Sequence, residues 1–237
     1  MSRSSYKYHP VTHCIFDMDG LILDTEKLAF QVTQNVFNKL TNPPKIHTWE
    51  NKESLLGLQS DDVAKKIVKI YDLPISWQTY KEMARLEARI LMENCSICEG
   101  ADRLIYHLYS HNIPICVATS SSKESFAIKS KNHKELFQMF NHIVLGASDP
   151  EVKNGKPSSD IFEIAARRFE DVPNFENCLV FEDSPSGVQA AISAGMQVVA
   201  IPDHRTCKSK VKNASVILQS LNNFYPEDFG LPPYYEE

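Results

Sequence analysis

Short apolar runs alternate with amphipathic stretches along most of the chain. The apolar runs are 11–16, 113–118 (Ile-Pro-Ile-Cys-Val-Ala), 142–146, 178–181 (Cys-Leu-Val-Phe) and 197–201 (Gln-Val-Val-Ala-Ile). Between them, near 101–111, 122–133, 158–169 and 186–194, apolar residues recur at helical spacing. Such alternation predicts an α/β architecture: a Rossmann-like parallel sheet with helices on both faces. The runs are continuously apolar rather than alternating, as strands covered on both faces must be.

One interval breaks the rhythm. From about 26 to 94 no strand is predicted. Helical patterns cover 26–40, 60–71 and 76–94, with Pro43, Pro44 and Pro74 as breaks. This block reads as a helical subdomain, 26–94, inserted into a core formed from 1–25 and 95–237. It would sit over the carboxyl ends of the strands, where open α/β sheets bind ligands. The tail 222–237 contains Pro226, Pro232 and Pro233 and is expected to run irregularly over the surface.

The first strand leads directly into Asp17-Met-Asp19-Gly20. Residues i and i+2 of a strand share a face, so both carboxylates are expected to point into one crevice. Two such charges are costly together unless a cation lies between them. For a site of oxygen ligands, Mg²⁺ is the simplest choice. An ionised Asp beside Mg²⁺ is also a competent nucleophile toward phosphorus, through an aspartyl-phosphate.

Further chemistry falls at other strand ends or just beyond them. Thr119-Ser120-Ser121-Ser122 follows the second strand and suits an anion, although it also suits a plain helix cap. Lys156 stands between Gly155 and Pro157 and could neutralise a nucleophile and a phosphoryl group. A second acidic pair, Glu182-Asp183, follows the fourth strand and adds oxygen ligands for Mg²⁺. Asp183 or Ser184 could cap the next helix, with Pro185 in its first turn. Asp24 or Thr25 could cap helix 26–40, and either could touch Asp19.

Composition narrows the partners. A net charge of −5 over 237 residues gives no general attraction to nucleic acid or to an anionic membrane. No signal-peptide pattern or membrane-length apolar run is present. The six cysteines are scattered, and Cys95-Ser-Ile-Cys98 has no second pair to complete a zinc site. Cys14, Cys116 and Cys178 are expected in buried strands, which fits a reducing, cytoplasmic setting.

Asp17-x-Asp19, Thr119, Lys156 and Glu182-Asp183, in this order, resemble the four motifs of the haloacid dehalogenase-like hydrolases. The resemblance runs through nearly the whole chain, and the 26–94 block is similar to that family's small helical cap. Phe-Asp-Met-Asp-Gly-Leu-Ile-Leu-Asp-Thr-Glu, His-Ile-Val-Leu-Gly and Phe-Glu-Asp-Ser-Pro-Ser-Gly-Val also resemble the animal pseudouridine-5′-phosphatases within it. Glycerol-phosphate, sugar-phosphate and phosphoglucomutase members are less similar.

The resemblance implies a monomeric phosphomonoesterase that uses Mg²⁺ and acts on a small-molecule phosphate ester. It implies Asp17 as nucleophile and Asp19 as acid and base. It implies phosphate binding by Thr119, Ser120 and Lys156. The implied metal ligands are Asp17, Asp19 through its backbone carbonyl, Asp183, and Glu182 directly or through water. Substrate choice would fall to Thr25 and to Gly57, Leu58 and Gln59. Leu58-Gln59 departs from the basic residues expected there, so glycerol 3-phosphate or a sugar phosphate is an alternative substrate to pseudouridine 5′-phosphate. A non-catalytic binding protein on the same fold is the other class, and the complete set of motif side chains argues against it.

Overall fold

The computed structural model describes residues 6–53, 55 and 60–234. Gly57, Leu58 and Gln59 therefore lie outside the described residues. The strands are β1 (His13–Phe16), β2 (Ile115–Thr119), β3 (His142–Leu145), β4 (Cys178–Glu182), β5 (Gln197–Ala200) and β6 (Val216–Ile217). They form one parallel sheet in the order β3-β2-β1-β4-β5-β6. Five of them fall on the apolar runs. The two-residue β6 is too short to leave a pattern.

The helices are α1 (Glu26–Leu40), α2 (Trp49–Glu53), α3 (Ser60–Ile70), α4 (Trp77–Leu91), α5 (Ala101–Ser110), α6 (Lys123–Lys129), α7 (Lys134–Phe137), α8 (Asp160–Arg167) and α9 (Pro185–Ser193). The five-residue α2 has no sequence signal of its own. The stretch 122–133 gives α6 and then a break at Ser130, whose hydroxyl bonds back to Phe126 O. No helix among the described residues is long and apolar enough to cross a membrane.

The sheet is buried on both faces, and alternate residues serve different cores. Cys14, Phe16, Val117, Leu179 and Phe181 face α5. Ile15, Cys116, Ala118, Cys178 and Val180 face α8 and α9. This explains the unbroken apolar runs: each side chain is covered, whichever way it points. A third apolar cluster is drawn wholly from residues 36–84 and includes Val36, Phe37, Ile67, Tyr71 and Tyr80.

The tail departs from expectation. Phe224, Phe229 and Leu231 are buried in the α5-facing core. Phe229 stacks on Tyr8 at 4.4 Å, and Phe224 meets Phe181 edge-on at 4.9 Å. Tyr8 N–H and Val11 N–H donate to the carbonyls of Asp228 and Phe229. The prolines do prevent long regular elements, but the aromatics between them need cover. Phe229→Ala should cost about 3–5 kcal/mol, measured by chemical denaturation. A loss below about 1 kcal/mol would mean that the tail is peripheral.

In the helical block, Tyr71 Oη accepts from Thr48 N–H and Asn51 Nδ2 and pairs with His47 Nδ1 at 2.9 Å. His47 is buried. Burial, then the nearby Lys52 charge, push it down from 6.5 to about 4. A histidine displaced downward contributes stability that is complete above pH 6.5 and is lost as the pH falls toward 4. Between pH 7 and 5 that loss is about 2 kcal/mol. His47→Gln should show a correspondingly smaller fall in unfolding free energy over this range. Equal falls in the two proteins would contradict the assignment.

Candidate active site

The site lies at the carboxyl ends of β1, β2 and β4, where chain order reverses across the sheet. Open parallel sheets bind ligands at such a point. Asp17 follows β1, Thr119 ends β2 and Glu182 ends β4, and register places them side by side. β1 stops at Phe16, so Asp17 and Asp19 stand on the loop beyond it rather than on one strand face. Both line a cleft of about 160 Å³ with Thr119, Ser120, Lys156 and Asp183.

Asp17 and Asp19 have separate cationic partners. Lys156 Nζ donates to Asp17 Oδ1 at 2.5 Å, to Glu182 Oε1 at 2.7 Å and to the Ala118 carbonyl at 3.1 Å. All three charged residues are buried. Asp19 instead accepts from Lys129 Nζ at 2.7 Å, Ser121 Oγ at 2.8 Å and Thr25 Oγ1 at 2.9 Å. The two Asp carboxylates thus have separate lysine partners, Lys156 for Asp17 and Lys129 for Asp19.

Their ionisation diverges accordingly. Burial pushes Asp17 up to about 7; Lys156 opposes this, while the charges of Glu182 and Asp19 add to it. Burial also acts to raise Asp19, but the Lys129 charge and the three donors outweigh it and hold Asp19 below the usual range. Asp183 is raised well above the usual range by burial and by the charges of Glu182, Asp17 and Glu26. Burial works to lower Lys156, and its two carboxylate partners more than reverse that.

Asp17, Glu182 and Asp183 each offer a carboxylate oxygen, and the three oxygens lie within 4.8 Å of one another. One lysine does not balance three carboxylates. Asp17 and Asp183 are displaced upward first by burial and then by the neighbouring carboxylate charges. An all-oxygen donor set fits a hard divalent cation. The Asp19 carboxylate is outside this group. Glu182 Oε2 is already engaged by Ser184 N–H at 2.7 Å and Ser184 Oγ at 3.0 Å.

Two glycines make room for these acids. At Gly20, with φ +85°, a Cβ would lie 2.3 Å from Asp183 Oδ2. At Gly187, in the first turn of α9, it would lie 1.6 Å from Glu182 Oε1. Ser184 caps α9 by accepting from Gly187 N–H. Thr25 precedes α1 without capping it, because its hydroxyl is spent on Asp19. Cys95 and Cys98 are free thiols, and burial raises both, Cys98 to about 12.

Residues 14–201 match the model of the haloacid dehalogenase-like hydrolases. The chain belongs to that family. It is 48% identical over 224 residues to the Drosophila melanogaster "Probable pseudouridine-5′-phosphatase", covering 94% of this chain and 96% of that protein. It is 41% identical over 227 residues to (DL)-glycerol-3-phosphatase 2 of Arabidopsis thaliana, covering 94% and 93%. A haloacid dehalogenase-family hydrolase from Deinococcus radiodurans R1, solved with phosphate and sodium, shares the fold. Its TM-score is 0.76 at 22% identity, over 95% of this chain and 99% of that one. The protein is a phosphatase of this family.

Lys129 and Ser121 are site residues that sequence reasoning passed over. Ser121 lay within a recognised hydroxyl run, but nothing in the sequence separates Lys129 from other helix-terminal lysines. Lys129→Met would leave the Asp19 carboxylate with hydroxyl donors alone and should cost about 1–3 kcal/mol. Lys129→Arg should recover part of it. Denaturation midpoints of the two variants test this, and an unchanged Met variant would refute it.

Proposed function

We propose that this phosphatase is a Mg²⁺-dependent phosphomonoesterase acting through an aspartyl-phosphate on Asp17, with pseudouridine 5′-phosphate as its favoured substrate. The observation that carries the chemistry is Asp17, buried beside Lys156 at the edge of a three-carboxylate group. The relative at 48% identity supports the substrate.

Asp17 attacks the phosphorus in line with the leaving oxygen. Asp19 protonates the leaving alcohol and then takes a proton from the water that cleaves the aspartyl-phosphate. Thr119, Ser120 N–H and Lys156 hold the phosphoryl oxygens and offset charge that grows in the transition state. Asp17, Asp183, the Asp19 carbonyl and Glu182, directly or through water, would hold Mg²⁺. When bound, Mg²⁺ screens the repulsion between the nucleophile and the phosphoryl oxygens. Thr25 fixes Asp19 where the helical block begins.

Residues 26–94 act as a cap over a core made from 1–25 and 95–237, and Gly57, Leu58 and Gln59 help choose the substrate. The separate apolar cluster in 36–84 supports that division. The enzyme works as a cytoplasmic monomer, a setting consistent with six free cysteines.

A second substrate reading, glycerol 3-phosphate, is supported by the Arabidopsis relatives at 41% identity. Phosphate release with Mg²⁺ from pseudouridine 5′-phosphate, uridine 5′-phosphate, glycerol 3-phosphate and sugar phosphates separates the two. The highest kcat/KM is expected for pseudouridine 5′-phosphate. Asp17→Asn should abolish turnover of every ester, and chelation of Mg²⁺ should do the same. Substantial activity in Asp17→Asn would remove the aspartyl-phosphate mechanism, whatever the substrate.

A further inference from the structure

The cleft that holds Asp17 is small. At about 160 Å³ it suits a phosphoryl group and little more. Pockets that enclose larger organic ligands run to roughly 300–1,000 Å³. The organic half of a sugar or nucleoside ester must therefore extend into an adjoining space. Two cavities share lining residues with the cleft, and their charges differ.

The first, of about 400 Å³, shares Glu26, Asp183 and Asp203 with the cleft. Asp24 and Glu99 line it as well. Its two full cations are Lys27 and Arg205, and Arg205 is already bound to both oxygens of Asp203. A surplus of carboxylates repels hydroxyl and carbonyl oxygens that lack a donor of their own, and repels anions outright.

The second, of about 510 Å³, shares Ser120, Lys156 and Ser186 with the cleft, and no carboxylate lines it. Ser60, the first residue of α3, joins it from the helical block, and Lys153 joins it from the loop before α8. Ala147, Val152 and Ile161 add apolar surface. The loop that carries Lys153 is pinned on both sides. Asp160 Oδ2 accepts from Lys153 N–H at 3.2 Å and from Asn154 N–H at 2.9 Å. Three residues further on, Lys156 is fixed to Asp17 and Glu182. The Lys153 side chain is exposed, and its ammonium donates to the Pro150 carbonyl at 2.6 Å. An ammonium has three donors, so this bond leaves others to meet a ligand.

We propose that the cavity lined by Ser60 and Lys153 receives the organic half of the phosphate ester, and that Lys153 selects there for neutral, oxygen-rich or anionic groups and against cationic ones. This rests on the phosphomonoesterase reading and narrows its substrate class. Polyol, sugar and nucleoside esters bring hydroxyl and carbonyl oxygens to Lys153 and the serines, and ring faces to the apolar surface. Amino-sugar and aminoalkyl phosphates would set an ammonium against Lys153 with no carboxylate in the cavity to balance it.

Lys153→Glu reverses that charge at an exposed position and leaves Asp17, Lys156 and the acidic group unchanged. Inhibition constants would be measured in both proteins for 6-phosphogluconate, glucosamine 6-phosphate and inorganic phosphate, each competing with the better substrate. The ratio of the glucosamine 6-phosphate constant to the 6-phosphogluconate constant should fall about tenfold or more in the variant. Inorganic phosphate, which needs only the cleft, should change less than twofold. A ratio shifted less than threefold, or both sugar esters weakened equally, would overturn the proposal and leave Lys153 a solvated surface charge.

Ser60→Trp narrows the same cavity from the helical block. Its kcat/KM for pseudouridine 5′-phosphate should fall about fivefold more than for glycerol 3-phosphate, whose organic half is smaller. Equal falls would place the organic half elsewhere. Turnover by Asp17→Asn would instead count against the catalytic mechanism, and the inhibition constants would still decide on the cavity.

Discussion

The site depends on one buried ammonium. Lys156 bridges Asp17 and Glu182 and takes a third bond to the Ala118 carbonyl, so the ends of β1, β2 and β4 all converge on a single nitrogen. Burying two carboxylates without it would be strongly destabilising. With it, the site still carries more negative than positive charge. A divalent cation is suited to offset that remaining excess of negative charge. The lysine thus sets both the local stability and the chemistry that the cleft can accept.

Around that centre, much of the local sequence serves to fit acids into little space. Gly20 and Gly187 are placed where any side chain would collide with Asp183 or Glu182. Ser184 both caps α9 and bonds Glu182. Thr25 gives up a capping role to hold Asp19. Residues that read in the sequence as turn and cap chemistry therefore do a second job in the site. Asp19 shows the other half of the arrangement: its lysine, Lys129, comes from the end of α6, so the two Asp residues of one short motif have separate cationic partners.

The helical block meets the sheet side near the cleft through particular contacts. Trp49 packs on Arg205 on one side, and Arg85 pairs with Glu124 at 2.9 Å on another. The first lies beside the reacting groups and the second on the exposed flank. The catalytic core is shared by family members with different substrates, whereas these contacts are made by side chains of the helical block.

The sequence by itself determined the parallel α/β core, because strands covered on both faces must be apolar at every position. It determined the helical character of 26–94 through periodicity, and the carboxylates, hydroxyls and lysine at the strand ends through motif order. Only the tertiary structure decided that Lys129 belongs to Asp19 and that Trp49 packs on Arg205, since both relations join residues far apart in the chain. It also reversed the reading of the tail. Pro226, Pro232 and Pro233 keep regular elements short locally, but the burial of Phe224 and Phe229 is set by an open face of the sheet core. Local propensity is written along the chain; which distant surface remains to be covered is written only in the fold.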